Sequence, residues 1–167
     1  MTRLPIAALA ALATLSSLAA TPAVSLSCMR PDVARAFAQA DAAEETYIVA
    51  RATLSFDEAL LPQTDWENQA ATPPHTLIPA RLEGQALTKE GFTTPFAQEI
   101  TLDAQCFGPW CSGAESGTEF LVFLEKRAEG YLFPLDPCGT MAFPEPTAAQ
   151  GARVLQCLRG AGCEPLN

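Results

Sequence analysis

Thr118-Glu-Phe-Leu-Val-Phe-Leu-Glu125 is the stretch that decides the fold class, because it is the most hydrophobic run outside the first residues of the chain. A short apolar run of this kind, bounded by turn signals, indicates a central β-strand. A turn at Glu125–Gly130 leads into Gly130-Tyr-Leu-Phe-Pro134, which predicts a partner strand. These two segments predict a β-sheet at the centre of the fold.

Three further segments extend this sheet towards the N-terminus. Thr46–Phe56 is rich in β-formers and predicts a long strand. His75–Leu82 and Phe96–Leu102 are also strand-like, and Gly84–Gly91 between them is interpreted as a turn region. About five short strands separated by turns favour a mainly β fold, a closed or nearly closed small barrel.

Two helices are expected to flank the strands. Pro31–Ala42 is Ala-rich and begins with a proline, which suits a first helical turn, and its Phe37 is expected to pack into the core. Ala148–Leu158 has an apolar face, with Thr147 as a plausible N-cap and Gly160 close behind its end. The predicted order is therefore a helix, about five strands and a second helix.

The segment 57–74 differs from its surroundings. It carries Trp66 together with several acidic and proline residues, and it predicts a long loop or insertion. Trp66 is a candidate binding residue, although a tryptophan in a loop more often folds back onto its own domain. The acidic side chains are Asp57, Glu58, Asp65 and Glu67.

The first residues predict export. Arg3 is the only early charge, and residues 5–23 are apolar or small, the pattern of a secretory signal peptide rather than of a retained membrane anchor. Cleavage is expected after Ala23, Ser25 or Ser27, which makes residues 1–27 the signal peptide and residues 28–167 a single domain. No later stretch is long and apolar enough to cross a bilayer.

Charge limits the classes of partner. Loss of Arg3 with the signal leaves nine basic and 19 acidic residues, so the mature net charge is about −10. Such a surface repels nucleic acid and anionic lipid. We expect a periplasmic or extracellular monomer. Lipid attachment to Cys28 is disfavoured but left open, since Ser25 stands where lipoprotein signals usually have Leu.

Six cysteines follow the signal, and an even count in an exported chain indicates disulfides. Six cysteines allow 15 pairings, so the count alone does not choose among them. The close spacings make two local pairs easy and would leave two distant cysteines. Zinc ligation is the competing interpretation, and export into an oxidising compartment argues against it. The residues, in order, are Cys28, Cys106, Cys111, Cys138, Cys157 and Cys163.

Three quoted pieces carry a family resemblance: Cys28-Met-Arg-Pro-Asp-Val-Ala-Arg-Ala-Phe-Ala-Gln-Ala-Asp41 followed by the strand Tyr47–Leu54, then Cys111-Ser-Gly-Ala-Glu-Ser-Gly-Thr-Glu-Phe-Leu-Val-Phe123, then Pro137-Cys138-Gly139. Their order and spacing resemble those of the netrin-module family, which includes the tissue inhibitors of metalloproteinases and their bacterial relatives. The resemblance covers about half of the mature chain. It implies an OB-fold barrel of five antiparallel strands in a Greek key.

The resemblance also bears on the disulfides and the function. It supports a Cys28–Cys138 bridge, because the family ties its N-terminal segment to that late turn. The family's animal inhibitors begin Cys-x-Cys and grip the protease zinc with the first cysteine. Leu26 stands at that position here, so metalloprotease inhibition is not carried over as the main interpretation. Because the family's first cysteine is absent here, Cys111 lacks the partner that it would have in the family. A local Cys106–Cys111 bridge would supply one.

The sequence contains no catalytic constellation. His75 is the only histidine, and neither a Gly-x-Ser-x-Gly nor a phosphate-binding loop occurs. We therefore expect no enzyme activity, no cofactor and no bound metal. The chain is interpreted as a binding module of the cell envelope that engages a protein or a polymer. The candidate interaction residues are Cys28, Met29, Trp66 and Trp110.

Two alternatives remain open at this point. One is a metalloprotease inhibitor that acts through the N-terminal edge at Cys28. The other is an acidic cation-binding protein that uses the loop Asp57–Glu67.

Overall fold

The computed structural model describes residues 25–165, and these form a mainly β protein with two helices. Most of the predicted signal peptide lies outside the described residues, as do residues 166 and 167. The helices are α1 (Val33–Ala42) and α2 (Ala148–Leu158). The strands are β1 (Tyr47–Phe56), β2 (His75–Thr88), β3 (Gly91–Phe107), β4 (Trp110–Cys111), β5 (Glu119–Arg127), β6 (Gly130–Leu135) and β7 (Ala142–Pro144).

Five of the strands close into a ring. The order around it is β1–β2–β3–β6–β5, and β5 pairs with β1 to complete the circuit. Only the β3–β6 pair in the ring is parallel. Ala50 to Thr53 of β1 pair with β2 on one side and with β5 on the other. The mainly β, OB-fold-like arrangement predicted from the sequence is confirmed, with β4 and β7 as short additions to it.

The interior of the ring holds the main core. Leu54, Leu82, Leu102 and Phe133 are completely buried there, and the rings of Phe120 and Phe133 meet edge to face with centroids 5.3 Å apart. Burying each such side chain contributes about 1.5–3 kcal/mol. This apolar interior holds the strands in register, so the ring forms a rigid support for the loops at its ends.

A second core lies outside the ring, under the two helices. Phe123 of β5 and Phe143 of β7 pack there against Val33 of α1 and Val154 of α2. One face of β5 packs inside the ring and the other packs against the helices, so six consecutive residues of this strand are buried. This double burial is the physical reason for the hydrophobic run that begins at Thr118.

The hairpin of β2 and β3 is longer than predicted. The interpretation of Gly84–Gly91 as a turn region is wrong, because β2 continues to Thr88 and the turn consists of Lys89 and Glu90 alone. Gly91, with a φ of +124°, provides the left-handed backbone at that turn. Gly84 is a glycine for a different reason, namely the close approach of β1, whose Arg51 carbonyl oxygen would lie 2.3 Å from a Cβ at this position.

The helix ends follow local capping chemistry. α1 begins at Val33 rather than at Pro31, because the Asp32 carboxylate accepts hydrogen bonds from the backbone N–H groups of Ala34 and Arg35, both at 2.9 Å. α2 has the predicted bounds, and Thr147 caps it in a reciprocal capping box with Gln150.

All six cysteines are paired, and the pairs are Cys28–Cys138, Cys106–Cys111 and Cys157–Cys163. The expected local pairs and the long bridge are therefore confirmed. Among residues 25–165, no helix combines the length and the apolar character needed to cross a membrane.

Candidate functional site

Exposed apolar side chains gather at the end of the ring where β3 finishes. Met29 is 70% exposed, Trp66 68% and Phe107 42%, and the half-buried Trp110 pairs across the strands with Phe107. Met29 and Phe107 line one groove, and Trp66 and Trp110 line a neighbouring depression. We name these four residues the aromatic edge. Three of the four predicted interaction residues thus belong to one surface, and the fourth, Cys28, lies beside Met29.

A disulfide-bonded hairpin positions the middle of the aromatic edge. β3 turns back into β4 so that Phe107 stands opposite Trp110 and Cys106 opposite Cys111, where the disulfide closes the turn. The backbone N–H of Ser112 donates to the Gln105 carbonyl at 2.8 Å and extends the pairing. The two aromatic residues therefore project from a covalently closed turn.

The loop 57–74 brings Trp66 to the same surface. The Thr64 hydroxyl donates to the carbonyl of Pro109, which is buried in the hairpin, at 2.7 Å. The Asp65 carboxylate accepts from the backbone N–H groups of Glu67 and Asn68 at 3.0 and 2.9 Å. The backbone on both sides of Trp66 is held in this way. Because its side chain is 68% exposed, the expectation that Trp66 folds back onto its own domain is wrong.

Most of the acidic side chains of the loop accept hydrogen bonds from backbone N–H groups. Asp57 accepts from the N–H of Ala59 at 3.0 Å, and Glu58 accepts from the N–H of Ser116 at 2.7 Å. With Asp65, three of the four carboxylates thus accept backbone hydrogen bonds. In the described part of the chain, no group of three or more His, Cys, Asp or Glu side chains is placed to hold a metal ion.

The N-terminal segment is fixed to the edge by the Cys28–Cys138 bridge. The turn that carries Cys138 is organised by the buried Asp136 carboxylate, which accepts from the N–H groups of Cys138 at 2.7 Å and Thr140 at 2.9 Å. The groove between Met29 and Phe107 has a volume of about 240 Å³. Its wall includes Arg35, whose guanidinium donates to the Arg30 carbonyl at 3.1 Å.

His75 has a carboxylate partner that the sequence does not reveal. Its Nδ1 lies 3.0 Å from both oxygens of Asp103, which is 4% exposed and also accepts from the Gln105 side chain at 2.9 Å. The pair lies on β2 and β3 near the aromatic edge. No hydroxyl or thiol within residues 25–165 forms a hydrogen bond with this imidazole.

A separate groove of about 370 Å³ lies between the helices and the start of β1. Burial raises the pKa of the Tyr47 phenol at its rim, and the nearby carboxylates of Glu125 and Glu45 raise this pKa further. Farther along β1, the hydrogen bond from Arg51 to Glu119 raises the pKa of the arginine. These shifts reflect structural contacts away from the aromatic edge.

Thr64→Val is expected to lower the free energy of unfolding by about 1 kcal/mol, because it keeps the shape of the side chain but removes the hydroxyl that donates to the Pro109 carbonyl at 2.7 Å and contacts Cys111 Sγ at 3.7 Å. It should also speed proteolytic cleavage within residues 57–74. Urea unfolding and timed proteolysis measure the two effects. Thr94→Val is the matched control, since Thr94 is exposed and makes no side-chain hydrogen bond in the described structure. Equal cleavage rates for the two variants would contradict the tether.

Sequence reasoning missed Phe107 and Asp103 because both lie on the part of β3 beyond the predicted strand. The sequence did contain a signal for Phe107. This residue directly follows the first cysteine of a short Cys-x4-Cys hairpin and therefore lies next to the turn of that hairpin. No local signal marked Asp103, because its partner His75 is 28 residues away.

No family model matches this chain, and no curated protein or solved structure is significantly similar to it. The resemblance to netrin modules therefore stays a prediction based on the quoted residues. The fold and the site define a disulfide-bonded five-stranded ring with an exposed aromatic edge.

Proposed function

We propose that this protein is an exported, non-catalytic binding module whose partner docks on the aromatic edge. The observation that carries this proposal is the exposure of Met29, Trp66 and Phe107 on one surface. Large apolar side chains that are grouped on a surface are typical of interaction sites.

The rigidity of the edge supports binding as its role. Two disulfides and the Thr64 hydrogen bond hold its parts before any partner arrives. A surface ordered in advance loses little conformational entropy on association, so more of the contact energy appears as affinity. Three disulfides also fit an oxidising compartment outside the cytoplasm.

Metalloprotease inhibition is the alternative, and one observation favours it: Cys28 is exposed beside the groove that Met29 and Phe107 line. Its test is inhibition of a panel of zinc proteases by two forms of the protein. One form begins at Cys28, and the other carries added residues before Cys28. Tight inhibition by the first form alone would support this alternative, whereas a lack of inhibition by both would remove it.

The proposed function predicts a position-dependent cross-linking pattern. A photo-reactive amino acid at Met29, Trp66 or Phe107 is expected to cross-link the same partner in the cells that export the protein. The same group at Glu90 or Glu129 should not, because these exposed residues lie in the β2–β3 and β5–β6 turns, at the opposite ends of β3 and β6 from the edge. Mass spectrometry of the adducts reads the outcome.

A second substitution, made in the labelled protein, makes the cross-linking test quantitative. Replacing Phe107 by alanine in the protein labelled at Met29 should reduce the adduct by about tenfold, the effect of losing an aromatic residue at the centre of an interface. Lys126→Ala is the control, since Lys126 is exposed at the far end of β5. Adducts that are equally abundant from the edge and from the turn positions would contradict the proposal.

A further inference from the structure

The depression between the two tryptophans differs in its chemistry from the rest of the surface. Its volume is about 730 Å³, and Trp66 from the loop and Trp110 from β4 line it together with Gln63, Thr64 and Ser112. We propose that this depression binds a neutral oligosaccharide. The inference rests on the proposed function and names the class of ligand for the tryptophan side of the aromatic edge.

The first argument is charge. The lining of the depression contains no charged side chain, although the protein carries 19 acidic and 10 basic residues. Three other grooves each include charged residues, such as Arg35 beside Met29, Asp41 between the helices and Glu145 near β7. A nucleic acid would be repelled by the negative protein as a whole, and a charged peptide would find no counter-ion in this lining. An uncharged ligand meets neither penalty.

The second argument is the combination of flat apolar surface with unused polar groups. Neither indole N–H, nor the side-chain amide of Gln63, has a hydrogen-bond partner in the described chain. Tryptophan offers an apolar face and one N–H donor, and it binds best where a ligand is apolar on one side and polar at its rim. A pyranose ring has this form, since its C–H groups cover one face and its hydroxyl groups project from the edge.

The third argument is preorganisation. The Thr64–Pro109 hydrogen bond ties the loop of Trp66 to the hairpin of Trp110, and the Cys106–Cys111 disulfide closes that hairpin. Sugars are flexible and strongly hydrated, so a site that is already formed reduces the entropy lost when one binds. The open shape of the depression also suits a chain that passes across it rather than a small molecule that is enclosed.

Intrinsic fluorescence tests the inference directly, because Trp66 and Trp110 are the only tryptophans in the sequence. The purified mature protein is titrated with four uncharged sugars: cellohexaose, laminarihexaose, maltohexaose and hexa-N-acetylchitohexaose. At least one is expected to cause a saturable change in emission. Trp66→Ala and Trp110→Ala should each weaken that binding by about tenfold, the effect of losing one stacked ring, with the remaining tryptophan as reporter. Gln63→Ala should weaken it by about fivefold.

Leu77→Ala is the matched control, since Leu77 is exposed on β2 and does not line the depression, and it should leave the affinity unchanged. Calorimetry of the same variants provides a second readout that does not depend on tryptophan. No emission change and no heat with any of the four hexasaccharides, up to their solubility limits, would overturn the inference. So would equal affinity for hexagalacturonate, or binding that survives the loss of both tryptophans.

The outcome is separable from that of the cross-linking experiment. If cross-linking from Met29 and Phe107 captures one protein partner while all sugars fail, the binding module stands and the oligosaccharide inference is wrong. If both experiments fail, the proposed function fails as well.

Discussion

Replacing Cys28 and Cys138 together by serine is expected to lower the free energy of unfolding by about 5 kcal/mol, because this bridge constrains a loop of 110 residues in the unfolded chain. The total free energy of unfolding of a small domain is only about 5–15 kcal/mol. In the same chain-entropy description, opening Cys106–Cys111 or Cys157–Cys163 costs only about 2 kcal/mol, since those bridges span 5 and 6 residues. The long bridge is therefore the dominant covalent constraint.

Urea unfolding of the three double serine variants under non-reducing conditions measures this difference. The Cys157–Cys163 variant is the best control, because its bridge joins the end of α2 to the next turn and does not contact the aromatic edge. Equal losses of unfolding free energy in all three variants would show that chain entropy does not determine which bridge stabilises the protein most. A loss for the long bridge that is smaller than for the short ones would contradict the prediction outright.

Gly84→Ala is expected to lower the free energy of unfolding by about 3 kcal/mol or more, because overpacking against backbone cannot be relieved by a change of rotamer. A Cβ at this position would lie 2.3 Å from the Arg51 carbonyl oxygen and 2.5 Å from the Ala52 Cα. Both atoms belong to β1, which β2 and β5 hold on its two sides. β1 therefore cannot move away without breaking one of its two ladders.

The matched control for this substitution is Gly113→Ala. A Cβ at Gly113 would have no atom within 4 Å, and its backbone does not require a positive φ. We expect a change of about 0.5 kcal/mol or less for this control, as for other surface substitutions. Thermal and urea unfolding give both values. A similar change in the two variants would mean that the approach of β1 to Gly84 is not a tight contact.

Features with a local physical cause could be predicted from the sequence. The helix Ala148–Leu158 was predicted with its bounds, because Thr147 caps its start. The central strand was predicted because both of its faces are buried, which requires a continuous run of apolar residues. The short cysteine spacings indicated the local disulfides, and Cys28–Cys138 followed from the family resemblance.

Features that depend on contacts between distant segments, and that the family resemblance does not supply, could not be predicted. Gly84 looked like a turn residue, because only the packing of β1 against β2 shows that its missing side chain makes room for another backbone. Trp66 was a candidate binding residue, but the usual behaviour of a loop tryptophan favoured an inward side chain. The hydrogen bond from Thr64 to Pro109 that holds its loop at the hairpin joins residues 45 positions apart and leaves no local signal. Three residues of the aromatic edge, Met29, Trp66 and Trp110, were therefore predicted singly, whereas Phe107 and the grouping of the four on one surface were not.

The long bridge also constrains the route by which the protein acquires its covalent structure. Cys28 pairs with the fourth cysteine along the chain, and the thiols of Cys106 and Cys111 stand between the two in sequence. Loop closure favours near partners, so Cys106 and Cys111, five positions apart, are expected to pair with each other before either meets Cys28. Cys138 is then the nearest thiol left for Cys28. A chain in which Cys28 pairs first with Cys106 or Cys111 would need thiol–disulfide exchange, in which a free thiolate attacks an existing bond. Closure of the local bridge therefore decides whether the native connectivity is reached directly or only after isomerisation.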